Sequence, residues 1–74
     1  MQPAIFKYQL KNMTLFICPN KTMYDLYAGD EYLGRYYSPL AAADEVSTQT
    51  TGNYAIDLLP FSQVPASLDN WTAL

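Results

Sequence analysis

One thiol and a few carboxylates are where covalent or acid–base chemistry could begin in this chain: Cys18, Asp30-Glu31, Asp44-Glu45 and Asp57. A nucleophilic cysteine needs a neighbouring base, and the chain has no histidine. The same absence removes the commonest metal ligand, and one cysteine cannot complete a zinc site of the usual kind. Cys18, closing the apolar run from Met13, therefore reads as a small buried hydrophobe at a strand end. Acid–base work on glycosides needs two carboxylates facing one another across a cleft. Asp30 and Glu31 instead fall in a turn, and Asp44 and Glu45 on the outer face of a helix. Asp57, among Ile56, Leu58 and Leu59, either caps a turn or pairs with Arg35. Gly29, Gly34 and Gly52 lack the spacing of a phosphate-cradling loop. The expectation is a protein that is not an enzyme and has neither cofactor nor metal site.

The tyrosines offer recognition rather than reaction. There are seven, against three phenylalanines and one tryptophan. Each joins an apolar ring to a polar tip, and with arginine they are enriched where interfaces concentrate binding energy. Tyr24, Tyr27, Tyr32, Tyr36 and Tyr37 fall on two adjacent predicted strands, more than one helix can cover. Tyr27, Tyr32, Arg35, Tyr36 and Tyr37 are therefore the candidate partner-binding residues. The competing reading has the N-terminal segment or the C-terminal tail cover these rings as a second core.

The elements that must position them lie between Thr22 and Gly52. Tyr24, Leu26 and Ala28 alternate with Met23, Asp25 and Tyr27, the two-residue period of a strand with unlike faces. Gly29-Asp30-Glu31 breaks the pattern, and glycine supplies the positive φ of a short hairpin loop. The return strand, Tyr32 to Tyr37, sets Leu33, Arg35 and Tyr37 against Tyr32, Gly34 and Tyr36. Gly34, with no side chain, lets another backbone or an aromatic ring lie close. Ser38-Pro39 starts a helix, the serine as cap and the proline with φ preset. That helix is predicted to reach about Gln49, with Leu40, Ala43, Val46 and Ala42 inward and Asp44, Glu45, Thr48 and Gln49 outward. Gly52-Asn53 offers its left-handed stop.

The flanks are added to this unit. Ala4 to Leu10 alternates as a strand, and Met13 to Cys18 reads as a second. Pro19-Asn20-Lys21 marks a break. Residues 1–21 are either strands that join the sheet or a loosely attached extension, since Met13 and Met23 could each initiate. In the tail, residues 53–74, Asn53 to Leu59 is an edge strand or a helical turn. Pro60 and Pro65 forbid a long helix. Pro65 to Trp71 forms a helical turn placing Leu68 and Trp71 together, with Trp71 closing an end of the core. The whole is one domain, 1–74, of the α+β class: an antiparallel sheet of three to four strands with one α-helix on a face and a short C-terminal helical turn.

Composition narrows the partners. The formal charge is −3, with only Lys7, Lys11, Lys21 and Arg35 basic. Phosphate backbones would find little to hold, so nucleic acid is not the expected partner. Charged residues are 15% of the chain, too few for a disordered polymer. A single cysteine precludes an internal disulfide and favours a reducing, cytoplasmic setting. Met1-Gln2-Pro3 is no basic leader, and no apolar run approaches the ~20 residues of a membrane span. A protein partner is expected, with weak self-association through a sheet edge as a further possibility.

The segment Glu31-Tyr32-Leu33-Gly34-Arg35-Tyr36-Tyr37-Ser38-Pro39, followed by Ala41-Ala42-Ala43-Asp44, resembles small uncharacterised bacterial and phage proteins with a hairpin feeding an alanine-rich helix. The expected function is a small binding module, and small size and mild acidity give it its specific form, a phage or mobile-element inhibitor of a host complex. The same pattern is similar to the last strand and helix of AP2-type DNA-binding domains, which implies the alternative of nucleic-acid binding by the sheet. Those domains read DNA from a sheet rich in arginine and tryptophan, where this one offers Arg35 alone. A fainter likeness to GYF-like domains, which bind proline-rich peptides through aromatics, departs at Arg35, where they carry a proline after the glycine. The architecture carries over, and neither function does.

Overall fold

A computed structural model of the protein describes residues 3–74; Met1 and Gln2, read above as no leader, lie outside them. Five strands run in the order β4-β3-β2-β1-β5, every neighbouring pair antiparallel. They are β1 (Phe6–Gln9), β2 (Thr14–Asn20), β3 (Met23–Ala28), β4 (Glu31–Tyr36) and β5 (Thr72–Ala73). Helices α1 (Pro39–Ser47) and α2 (Tyr54–Asp57), with 3-10 turns at Phe61–Gln63 and Leu68–Asn70, complete the chain. The α+β class holds. The fifth strand, two residues of the tail beside β1, lies beyond the three or four expected. A run that short carries no periodicity by which sequence could reveal it. The leading segment supplies β1 and β2, and β2 stands at the middle of the sheet.

The two-residue period sorts one face of the sheet into the core. Leu15, Ile17 and Leu26 are fully buried, and Ala28 nearly so. Ala42, Ala43 and Val46 of α1, Ile56 of α2, Leu10 and Trp71 complete the cluster. Each large aliphatic side chain removed from water there contributes about 1.5–3 kcal/mol. Small alanines let α1 approach β3 and β4 closely. Trp71 packs against Tyr8 with ring centroids 5.8 Å apart, in the core position expected of it. Leu40, expected inward, is 54% exposed, and the buried stripe of α1 is Ala42, Ala43 and Val46.

Two turns set the hairpins. Gly29 has φ 58° and Lys21 φ 60°, each the first residue of a two-residue loop. The second residue of neither loop is positive, the pattern of the II′ family whose twist matches antiparallel strands. Pro19-Asn20, expected as the break, therefore lies inside β2, opposite Tyr24 and Met23. Proline is tolerated there because β1 pairs with β2 only from Thr14 to Ile17, so that among the described residues Pro19 has no strand partner on that side.

Helix α1 begins as its sequence dictates, with Ser38 Oγ accepting from Ala41 N–H at 3.1 Å. It ends at Ser47, short of Gln49, and the left-handed residue at its end is Gln49 (φ 57°); Gly52, also positive at φ 86°, lies further on, just before α2. Gln49 can hold that conformation because its side-chain amide is anchored. Nε2 donates to the carbonyls of Ile56 (3.1 Å), Asp57 (3.2 Å) and Leu59 (2.7 Å), at the C-terminal end of α2. Asp57 serves as a cap, accepting from Thr51 N–H and Oγ1–H and from Gly52 N–H, and so does not meet Arg35.

Candidate functional site

The face of the sheet away from α1 is built by register. Cross-strand pairs carry a row from Lys7 through Phe16 and Tyr27 to Tyr32, one residue from each of four strands. A second row runs Cys18, Asp25, Arg35. None of these residues belongs to the core cluster or packs against it. A β-bulge between Leu26 and Tyr27 on one side and Tyr32 and Gly34 on the other makes this arrangement. From the loop, Ala28 faces Glu31 and Tyr27 faces Tyr32; beyond Leu33 the partners slip by one, so Asp25 faces Arg35 and Tyr24 faces Tyr36. Without the extra residue Asp25 would face Gly34. Simple alternation along β4, which put Tyr32 with Gly34 and Tyr36, is thus corrected. Tyr32 and Arg35 share the open face, and Leu33, Gly34 and Tyr36 turn to the helix side.

The five candidate residues consequently part company. Tyr27 and Tyr32 meet edge to face, centroids 5.8 Å apart and planes at 69°, a favourable geometry for two rings. Tyr32 is 52% exposed, and Arg35 stands beside it. Tyr36 packs against the core instead, its ring lying over Gly34. A Cβ on Gly34 would sit 2.8 Å from Tyr36 Oη, so the expected close ring over that glycine belongs to the same strand. Burial, then the charge of Glu45, pushes the Tyr36 hydroxyl above the usual tyrosine range. Tyr37, past the end of β4, is exposed to 85% and joins neither face.

Arg35 is positioned by a carboxylate that sequence alternation set on this face without naming its role. Asp25, 5% exposed, accepts from Arg35 Nε at 2.8 Å and from Asn20 Nδ2 at 2.9 Å. The hydrogen bond from Arg35 holds the Asp25 carboxyl below the usual range, against the opposing effect of burial. The same bond raises Arg35, which stays charged. Next to Asp25, the buried Cys18 thiol is pushed up first by burial and then by that negative charge. It is a neutral thiol at physiological pH, hence a poor nucleophile.

Phe16 and Tyr27 also form the walls of a half-open cleft of about 330 Å³, with Cys18 at its floor and Pro3, Ala4, Gly29 and Asp30 around it. Its lining is mainly apolar, a composition suited to an inserted side chain. The signal that could have added Phe16 to the candidates is the alternation of β2, where Leu15 and Ile17 take the core side. Among the described residues no group of three or more His, Cys, Asp or Glu side chains is placed to hold a metal ion, and no helix is long and apolar enough to cross a membrane. Comparison with protein-family models, with curated proteins and with solved structures finds no match to the chain.

Proposed function

We propose that this is a small non-enzymatic protein–protein interaction module that binds through the helix-free face of its sheet. The observation that carries the reading is the Tyr27–Tyr32 edge pair beside an exposed, carboxylate-anchored Arg35, on a face free of α1 and α2. Tyrosine rings and an arginine already held in place lose little freedom on binding, which is why such groups concentrate interface energy. The cleft beside Phe16 gives a partner one recess for an apolar side chain. In its specific form the module is cytoplasmic and inhibits a host enzyme complex for a phage or mobile element, a reading that draws on small size and mild acidity.

Tyr32→Ala and Arg35→Lys test it: the first side chain is not part of the core, and the second change removes the planar guanidinium while keeping a cation beside Asp25. A partner retained by the wild-type chain from host or infected-cell extract should be lost by both variants while circular dichroism stays unchanged. Equal retention by all three chains refutes the face as the binding site. A gel-shift series across salt tests nucleic acid instead, since phosphate-driven binding must weaken steeply as salt rises.

A further inference from the structure

We propose that β4 is a dimerisation edge: two copies of this chain pair β4 against β4, antiparallel about a twofold axis, and join two five-stranded sheets into one of ten strands. The proposal shares Tyr32 and Arg35 with the partner-face reading but concerns the edge of the sheet, and its test needs only the isolated protein. It starts from the unequal ends of the sheet. One edge is β5, two residues long, and the other is β4, six residues long. Among the described residues, the backbone of β4 bonds only along its β3 side. A row of free N–H and C=O groups is a template for another strand. A six-residue edge finds its equal only in a second β4, because a head-to-tail contact with β5 stops after two residues. An edge that pairs with its own kind closes as a twofold dimer.

The side chains point the same way. Tyr32, Tyr37 and Leu40, three of the six large hydrophobics exposed among the described residues, lie on β4 or within four residues of its end. With the axis between Leu33 and Gly34, Tyr32 of each copy falls opposite Arg35 of the other, on the same face. Each guanidinium, its charge already met by Asp25, then lies against a ring in a cation–π pair made twice.

Sedimentation equilibrium of the full chain, from micromolar to millimolar concentration, is the test. The expected result is a monomer–dimer equilibrium with nothing larger. Tyr32→Lys sets an ammonium against the other copy's Arg35 twice and should raise the dissociation constant roughly tenfold or more. Tyr32→Glu sets a carboxylate there and should leave it within about threefold. Circular dichroism checks that both variants fold. A monomer at every concentration, larger assemblies, or equal effects of the two substitutions would overturn the proposal.

Discussion

Gln49 is the residue whose replacement should reveal most about this fold. It holds a left-handed backbone, which costs a side-chain-bearing residue about 1 kcal/mol, yet it sits between two helices and is not glycine. Its amide offers two hydrogens to three carbonyls, so one is shared, and only the nitrogen end can face three acceptors. At about 1 kcal/mol net per bond, the anchor is worth about 2 kcal/mol. Gln49→Ala should lose that amount and keep the backbone strain. Gln49→Gly should lose the anchor but relieve the strain, for a net loss of about 1 kcal/mol. Gln49→Glu places an acceptor-only carboxylate against three carbonyls and should be the worst at neutral pH, recovering as it protonates below about pH 4. Urea unfolding reads all three. With a slope of about 1 kcal/mol/M for a chain this small, the alanine variant's midpoint falls by about 2 M. Alanine within about 0.5 kcal/mol of wild type, or glutamate no worse than alanine, would refute the role assigned to the amide.

Two further outcomes follow from particular contacts. Gly34→Ala should destabilise by about 1 kcal/mol, because the new methyl displaces the Tyr36 ring from its packing. In a Tyr36→Ala background the same change should be neutral or mildly stabilising, and a double-mutant cycle of unfolding free energies shows whether the sign reverses. Asp25 has a folded pKa below its unfolded value, so its contribution is present above about pH 3.9 and is lost as pH falls through the lower folded value. The stability advantage of wild type over Asp25→Asn should accordingly shrink on acidification below about pH 4, measured by urea midpoints across pH; an advantage constant down to pH ~2 would contradict the coupling.

Much of this architecture was legible because local signals agreed. The Ser38-Pro39 start, the Gly29 loop and the alternation of β3 each stand where they were read. What escaped was decided by tertiary pairing. The bulge at Leu33 is marked in sequence only by its neighbour Gly34, which equally well signals a close ring, yet it decides that Arg35 meets Asp25 and that Tyr36 leaves the open face. Pro19 reads as a break, and only the early end of β1 makes room for it in a strand. The end of α1 departs from its sequence reading because a distant set of carbonyls rewards a left-handed glutamine ahead of the glycine. Of the five candidate residues, Tyr27, Tyr32 and Arg35 are assembled together, since assigning tyrosines to faces needs the register.

The solitary thiol gives the molecule an intrinsic clock. Cys18 is 3% exposed in the middle strand of the sheet and lines the cleft beside Phe16 and Tyr27, so a thiol reagent reaches it by way of that cleft. The rate at which that reagent is consumed under native conditions therefore reports how freely the cleft admits a small molecule, with no introduced label. Anything seated in the cleft should slow the clock in proportion to how firmly it holds.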